Sequence, residues 1–278
     1  MTLRPMPAAA PRVGATGIIA ALLEQRTGQQ LAPNRSWRLD ATLKPLLRER
    51  GLADFDELVG ALLGARDPSL ADAVVEALLN QETSFFRDAG VLEQVVEAAA
   101  AMPNEGGRLR IWSAGCSTGQ EPLSLAMLFA ERGGDMPDIQ ATDVSNGALV
   151  RARAGRYSQF EVQRGLPIRR LMQWFDPVGE DWVAKSDLVD RIRYRRLNLA
   201  SDPVLPGRFD IILCRNVLLY FNAGMRAKVL DALSCALRPG GLLVLGAGET
   251  VIGQTERLEP SRDWRGFYAI AEPARRTA

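Results

Sequence analysis

Two acidic residues, Glu121 and Asp143, and a run of small residues at 113–119 have the spacing of a nucleotide-binding unit. Small residues let the backbone approach a ligand closely. Asp143 follows the run by about 20 residues, where an acid in such folds holds the two hydroxyl groups of a ribose. The run lacks the G-x-G-x-x-G fingerprint and the P-loop lysine, so two alternatives stay open: an ordinary tight turn, or Asp143 as the N-cap of a helix at 147–154. We expect the loop, which includes Gly115, and Asp143 to contact a nucleotide-like ligand, with Glu121 at the start of the helix that follows the loop.

A second group of candidates follows residues 209–214 (FDIILC), which have the clearest pattern of a buried strand in the chain. Ligands of open α/β sheets bind beyond the carboxyl ends of the strands, so side chains just after this stretch are placed to contact one. The candidates are Arg215, Asn216, Tyr220 and Phe221.

The segment 80–88 (NQETSFFRD) combines a polar run, two adjacent aromatic residues and an arginine. Burial of Phe85 and Phe86 would fix the segment and leave Thr83 and Arg87 to contact a ligand. The alternative is a helix start that Thr83 caps.

A parallel sheet covered by helices would bring these residues together. Apolar runs of strand length and helical patterns alternate along the second half of the chain, which predicts an α/β fold. The strands are expected at 109–112, 138–143, 191–194, 209–214, 242–245 and 267–270, and the helices at 123–130, 147–154 and 225–237. Residues 238–241 (RPGG) predict a turn, and residues 267–270 are expected to close the sheet. Asn198 and Leu199, past the 191–194 strand, would meet the base of a nucleotide.

The composition excludes several classes of site. The chain has 278 residues, enough for one large domain or two modest ones, and no histidine, which excludes a Ser-His-Asp triad, a Cys-His pair and a His-ligated metal. A net charge of +1 does not direct it to nucleic acid or a membrane surface, and no apolar run approaches a membrane span. Three widely spaced cysteines favour a reducing cytoplasm, with Cys116 and Cys214 as packing residues rather than nucleophiles.

The first 75 residues are expected to form a small helical unit after a Pro- and Ala-rich tail at 1–14. Helical patterns cover 16–27 and 39–50, although Pro45 is expected to kink the second helix or to lie in its first turn. A basic cluster lies in one short stretch: Arg35, Arg38, Lys44, Arg48 and Arg50. It is either a solvated helix face or a patch for an acidic partner.

Taken together, these landmarks resemble the chemotaxis receptor methyltransferases of the CheR family. The resemblance covers nearly the whole chain after the tail. It is carried by ETSFFRD, SAGCSTGQEP, ATDVS, CRNVLLYF and LRPGGLLVLG, in that order. It implies a Rossmann-like S-adenosylmethionine methyltransferase domain, a small all-α N-terminal domain and a small antiparallel β insertion. The implied reaction is methylation of glutamate side chains, with S-adenosylhomocysteine as the other product and no metal.

The resemblance also implies roles for individual residues. For the implied reaction, our own hypothesis is that Arg87 and Tyr220 orient the substrate carboxylate and that Arg35, Arg38, Lys44 and Arg48 of the basic cluster bind the substrate protein. Cofactor contacts are implied at Gln81, Thr83, Arg87, Gly115, Glu121, Asp143, Asn198, Leu199, Arg215 and Asn216. Gln81, with Asn80 before it, stands where the family has asparagine, and residues 246–249 (GAGE) replace the family's Gly-His-Ser-Glu.

The implied domains are residues 15–75 and 76–278, with the β insertion at about 157–190. Residues 176–180 predict a short hairpin loop, as in members that bind no receptor tail peptide. The implied partner is the cytoplasmic helical domain of a chemoreceptor. The protein itself is expected to be a cytoplasmic monomer that binds no nucleic acid and does not insert into membranes. Two alternatives stay open: a methyltransferase for a small molecule or RNA, and a cofactor-binding sensor or scaffold without turnover.

Overall fold

The computed structural model describes residues 14–31, 36–64, 67–103 and 107–271. The chain divides between Leu78 and Leu79 into two compact units. Apart from Gly14, the expected tail at 1–14 lies outside the described residues.

The first unit is helical in its described part, with α1 (Ala15–Thr27), α2 (Ser36–Arg50), α3 (Phe55–Leu63) and α4 (Pro68–Leu78). Their apolar faces share one core, which includes Ile19, Leu43, Leu58 and Val74. The α2 helix runs through Pro45, so its expected position in a first turn is wrong. Leu43 and Leu46 are buried on either side of the proline, and this packing outweighs the hydrogen bond that proline cannot donate.

The second unit is an α/β domain. Its main strands are β1 (Arg110–Ala114), β2 (Asp138–Asp143), β6 (Ile192–Arg196), β7 (Phe209–Cys214), β8 (Leu237–Leu245), β9 (Leu258–Pro260) and β10 (Phe267–Ile270). Its main helices are α5 (Ala89–Ala101), α6 (Gln120–Arg132), α7 (Asn146–Ala154) and α11 (Ala223–Ala236). Apolar cores lie against this sheet, and every residue of β7 is buried.

Within the described residues the main sheet has seven strands, in the order β6-β2-β1-β7-β8-β10-β9. The strands from β6 to β8 are parallel, while β10 is antiparallel to β8 and to β9. The chain moves outward in one direction from β1 to β2 and β6, then returns to pair β7 on the other side of β1. Such a reversal of strand order opens a crevice at the carboxyl ends of β1 and β7, where ligands bind in folds of this kind.

A small antiparallel sheet lies between β2 and β6 in the sequence. It pairs β3 (Arg156–Ser158), β5 (Asp181–Ala184) and β4 (Phe175–Val178), in that order, among the described residues. Three short helices accompany it: α8 (Gln159–Gln163), α9 (Ile168–Trp174) and α10 (Ser186–Val189). The β4–β5 hairpin turns at Gly179 and Glu180, so the loop is shorter than the predicted 176–180.

Two sequence expectations for the main sheet are wrong. Residues 238–241 do not form a turn but belong to β8, where Leu237 pairs with Phe209 and Leu242 with Ile211. The extra residues form a bulge, which tolerates proline within a strand. The β10 strand does not close the sheet, because β9 pairs outside it.

The helices of the described part of the chain include none that is both long and apolar enough to cross a membrane.

Candidate functional site

The turn after β1 is tied to the end of β2 by its backbone. The N–H groups of Gly115 and Cys116 both donate to the Thr142 carbonyl, at 2.8 and 2.9 Å. Gly115 has φ +83°, and a Cβ atom there would lie 2.4 Å from Cγ2 of Val217, which follows β7. Only glycine fits, so the loops that follow β1 and β7 approach each other closely at the crevice.

Asp143 fixes the loops that follow β1 and β2. Its Oδ2 accepts from the Ser117 N–H at 2.8 Å, and its Oδ1 accepts from the Ser145 N–H at 2.9 Å. The alternative reading of Asp143 as a helix cap is wrong, because the Ser145 hydroxyl caps α7 by accepting from the Ala148 N–H. The Asp143 carbonyl accepts from Leu197, which brings the segment after β6 beside it.

Asn198 and Leu199 lie in that segment. The Asn198 N–H donates to Asp202 at 2.7 Å, and its Oδ1 accepts from the Ala200 N–H at 3.0 Å. These bonds form a local turn next to Asp143, and Leu199 packs against the neighbouring apolar core.

Gln81 contacts both the loop that follows β1 and the loop that follows β2. Its carbonyl accepts from the Ser117 hydroxyl at 3.0 Å, and its Nε2 donates to the Ser145 hydroxyl at 3.1 Å. Its neighbour Asn80 has a different partner, since its Nδ2 donates to the Tyr220 hydroxyl. Gln81 therefore contacts the loops that follow β1 and β2, whereas Asn80 contacts the segment that follows β7.

Arg215 is the buried cation of the site, with its side chain only 3% exposed. Its guanidinium donates to Glu121 Oε2 at 3.0 Å, to Asp88 Oδ2 at 2.6 Å and to the Arg87 carbonyl at 2.8 Å. The other oxygen of Glu121 accepts from the Ser113 hydroxyl at 2.7 Å. Glu121 also lies in the first turn of α6, where the helix dipole stabilises an anion.

The residues on both sides of Arg87 have strained backbone conformations. Phe86 and Asp88 have φ values of 51° and 54°, in the left-handed region that bulky residues rarely adopt. Phe86 is fixed there by burial, by a bond from its N–H to the Ser124 hydroxyl and by the Arg170 guanidinium 4.4 Å from its ring. The side chains of Thr83 and Arg87 are half-buried and make no hydrogen bond with other residues in the described ranges.

Backbone strain is concentrated at this site. The described residues include four non-glycine residues with positive φ: Phe86, Asp88, Ser117 and Asn216. All four lie in the segment before α5 or in the loops that follow β1 and β7. Such conformations cost of order 1–3 kcal/mol each and cluster at functional sites. Their position therefore indicates that this crevice is the functional site.

Two buried polar atoms at the end of β7 lack a partner among the described residues: Arg215 Nε, a donor, and Asn216 Oδ1, an acceptor. Leaving such groups unpaired is costly inside a protein. A ligand that carries both an acceptor and a donor would satisfy them.

The structure brings together most of the expected site residues. Arg215 bonds directly to Glu121 and to the Arg87 carbonyl, and Gln81 and Asp143 share Ser117 and Ser145 as partners. The other expected residues near these groups bond to further residues of the same loops: Gly115, Asn198, Asn216 and Tyr220. Sequence reasoning missed Asn80, Ser117, Ser145 and Glu249 as contributors. Serine in the turns after β1 and β2 was visible as a small polar residue, but its partners were not.

The basic cluster belongs to the first unit. Arg35 lies outside the described residues, and the side chain of Arg38 is not described. Lys44 and Arg48 are exposed and share one face of α2, being four residues apart. Arg50 instead pairs with Asp67.

Burial raises the pKa of the Cys116 and Cys214 thiols well above the ordinary value. The next cause for Cys116 is the negative charge of Asp143, and for Cys214 that of Glu249. Both thiols therefore stay protonated at a pH at which an ordinary cysteine is partly thiolate. Cys235 is exposed.

Native chain treated with iodoacetamide at about pH 8 is expected to be alkylated at Cys235 alone, because only a thiolate that is accessible reacts. Chain unfolded in urea is expected to be alkylated at Cys116 and Cys214 as well. Peptide mass spectrometry measures both patterns. Rapid native labelling of Cys116 would show that the turn after β1 is open, contrary to the structure.

The strand order, the small-residue turn after β1 and the acid at the end of β2 define a Rossmann-like α/β domain with a nucleotide-type site at the carboxyl ends of its strands. A family model described as "CheR methyltransferase, SAM binding domain" matches residues 81–265. The chain belongs to the CheR methyltransferase family.

Similar proteins are found among chemotaxis methyltransferases. Chemotaxis protein methyltransferase Cher2 of Pseudomonas putida is 36% identical over 242 residues, which cover 83% of this chain and 88% of that protein. Chemotaxis protein methyltransferase 1 of Pseudomonas aeruginosa is 38% identical over 240 residues, covering 82% and 87%. The chemotaxis protein methyltransferase of Escherichia coli is 31% identical over 239 residues, covering 83% and 82%.

Solved structures give a weaker likeness. The CcbJ methyltransferase from Streptomyces caelestis aligns with a TM-score of 0.37 and 14% identity, over 60% of this chain and 51% of that one. CalS10, an amino pentose methyltransferase from Micromonospora echinaspora, aligns with a TM-score of 0.36 and 18% identity, over 64% and 56%. The family assignment therefore comes from the sequence matches.

The residues present fit S-adenosylmethionine. Its ribose carries the hydroxyl pair that a carboxylate such as Asp143 accepts from. Its amino-acid end carries a carboxylate and an ammonium group, the acceptor and donor that Arg215 Nε and Asn216 Oδ1 lack. Among the described residues no cluster of three or more Cys, Asp or Glu side chains has the arrangement of a metal site.

Proposed function

We propose that this protein methylates glutamate side chains on the cytoplasmic helical domain of chemoreceptors. The products are glutamate methyl esters and S-adenosylhomocysteine. The proposal rests on the position of Arg87. Strained residues flank it, and its carbonyl accepts from Arg215. Its guanidinium has no partner in the described part of the chain. An anchored, unpaired arginine beside a cofactor site suits an anionic substrate such as a carboxylate.

For the cofactor, we propose that Asp143 holds the ribose and that Asn198 and Leu199 contact the adenine. Arg215, Asn216 and Thr83 would hold the amino-acid end, with Gln81, Gly115 and Glu121 shaping the cradle. The contacts that support this division are those from Asp143 to both loops and those from Arg215 to Glu121.

The bound cofactor supplies a methyl group on a positively charged sulfur. A substrate glutamate is already ionised near pH 7, so the chain need not supply a general base, which agrees with the absence of histidine. A glutamate oxygen would take this methyl group as the carbon–sulfur bond breaks, so the negative charge of the carboxylate and the positive charge of the sulfur would both be lost. Arg87 and Tyr220 have to align the carboxylate, and alignment can supply roughly 7–11 kcal/mol in favourable intramolecular cases.

Arg87 is expected to touch the carboxylate from one side only. A tight two-point pairing would stabilise the ground-state anion as well as the transition state and would not speed the reaction. Tyr220, which accepts from Asn80, is expected to complete the orientation of the carboxylate.

The N-terminal helical unit is proposed to bind the receptor. Lys44 and Arg48 form an exposed positive pair on α2. Such a pair suits a partner surface that carries glutamates. Arg35 and Arg38 are proposed to extend this pair. The reaction is placed in the cytoplasm, where the receptor domain lies.

Transfer of a radiolabelled methyl group to a purified receptor cytoplasmic fragment tests the function. Label released as volatile methanol by mild base identifies a glutamate ester, and a fragment with its glutamates replaced by glutamine is the matched control. Label that base does not release, or label on RNA or a small molecule, would assign another substrate. Cofactor binding without any transfer would assign a sensor.

The Tyr220→Phe variant is expected to lower turnover about tenfold, since one hydrogen bond to a charged group is lost while the ring remains. The affinity for S-adenosylmethionine should stay close to that of the wild type. Steady-state kinetics with the receptor fragment measure the turnover. Tyr268→Phe, at a hydroxyl on β10, is the control, and wild-type turnover in Tyr220→Phe would remove Tyr220 from the proposed site.

A further inference from the structure

Glu249 joins the loops that follow β7 and β8. One carboxylate oxygen, Oε2, accepts from the Asn216 N–H at 2.8 Å and from the Gly246 N–H at 2.9 Å. The other, Oε1, accepts from the Leu219 N–H at 3.3 Å. Both strands have ended at this point, at Cys214 and Leu245, so the carboxylate continues their connection through backbone N–H groups.

The contact is tight and holds a strained residue. Asn216 has φ 59°, which is costly for a residue other than glycine. A Cβ atom on Gly246 would lie 2.8 Å from Asn216 N and 2.9 Å from Glu249 Oε2. There is room for the Glu249 carboxylate only because residue 246 is glycine, and the carboxylate in turn fixes Asn216 with its Oδ1 facing inward and unpaired.

The two oxygens of Glu249 serve different sides of the site. Oε2 fixes Asn216, which is proposed to bind the cofactor. Oε1 fixes the first part of the 3₁₀ helix Leu218–Tyr220, which carries the side chain proposed to orient the substrate.

We propose that Glu249 is a positioning residue that keeps the cofactor-binding Asn216 and the substrate-orienting Tyr220 in fixed relation. The Tyr220 half of this inference rests on the proposed function, whereas the Asn216 half concerns cofactor binding alone. Glu249 accepts from the backbone N–H groups of Asn216, Gly246 and Leu219, so it acts through the backbone of these residues.

Two substitutions at Glu249 separate its effect on Asn216 and cofactor binding from its effect on Tyr220 and turnover. Glu249→Ala removes all three bonds and is expected to weaken S-adenosylmethionine binding about tenfold and to lower kcat about 30- to 100-fold, the loss of charge-assisted hydrogen bonds on both sides. Glu249→Gln keeps one carbonyl oxygen for Asn216 and Gly246 but turns an NH₂ group toward the Leu219 N–H. It is expected to keep the dissociation constant within about threefold of wild type and to lower kcat about tenfold.

The experiment measures, for the full chain and both variants, the calorimetric Kd for S-adenosylmethionine, kcat and KM with the receptor fragment, and Tm. Glu256→Gln, at an exposed glutamate in the following segment, is the control and should match wild type. Equal losses of affinity in the Gln and Ala variants, or wild-type kcat and Kd in both, would overturn the proposal. A lower Tm with unchanged kcat would show a merely structural role and would also overturn it.

Two further outcomes are decided by the same measurements. If Glu249→Ala does not fold, the Gln variant decides alone: reduced kcat with wild-type Kd supports the proposal, and wild-type kcat overturns it. If the wild type transfers no methyl group to the fragment, the proposed function fails, and the Kd values alone decide whether Glu249 positions Asn216.

Discussion

Replacing Arg87 with alanine is expected to lower the turnover of methyl transfer about 100-fold, because a reacting group that is misplaced by about 1 Å can lose that much of its rate. The protein already supports this side chain through strained backbone at Phe86 and Asp88 and through the bond from Arg215 to its carbonyl. Because those backbone contacts survive the substitution, the fold should be unchanged. The loss should therefore appear mainly in kcat.

The matched control is Arg191→Ala, at an exposed arginine before the amino end of β6 and so away from the crevice. It should retain wild-type kinetics. Arg87→Lys keeps the charge but not the planar fork and should recover only part of the activity. Wild-type turnover in Arg87→Ala would show that the substrate carboxylate does not meet this arginine.

Replacing Arg215 with alanine is expected to lower the free energy of unfolding by about 3–5 kcal/mol, the cost of breaking a buried ion pair from one side. The Arg215 side chain is 3% exposed and that of Glu121 is 15% exposed. Without the guanidinium, Glu121 is left with a buried charge and only the Ser113 hydroxyl bond. The Arg87 carbonyl loses its donor as well.

Urea unfolding followed by circular dichroism measures this loss. Arg156→Ala is the matched control, because Arg156 pairs with Asp181 through side chains that are 49% and 35% exposed, and exposed pairs contribute at most about 1 kcal/mol. Arg215→Lys should destabilise nearly as much as alanine, since a lysine cannot contact Glu121, Asp88 and the carbonyl together. A loss below about 1 kcal/mol for Arg215→Ala would contradict the buried network.

Local apolar pattern predicted the strands that carry the site. The bounds expected for β2 and β7 agree with the structure: β2 alternates buried and partly exposed residues at its start and ends at an acid, and β7 is buried throughout. The pattern failed at residues 238–241, where proline and two glycines suggested a turn, because a bulge in a strand uses the same residue types. It also missed β9, which is too short to show a period.

The site was predicted as a set of residues but not as a set of contacts. The sequence places Asn80 beside Gln81, yet only the fold shows that one contacts Tyr220 and the other Ser145. Nothing in the local pattern marks Phe86 or Asn216 as strained, since that conformation is imposed by distant partners such as Ser124 and Glu249. Contacts between residues far apart in sequence depend on the order of the strands, which periodicity does not contain.

S-adenosylmethionine is proposed to lie across the carboxyl ends of β2, β1 and β7, with Asp143 at its ribose. Calorimetric titration of the wild type and of Asp143→Asn with this cofactor tests that arrangement, with Asp135→Asn, an exposed aspartate before β2, as control. We expect measurable binding to the wild type and the control, and affinity about 10- to 100-fold weaker for Asp143→Asn, the loss of one or two hydrogen bonds to a charged group. No heat of binding to the wild type, or equal affinity in all three proteins, would contradict it.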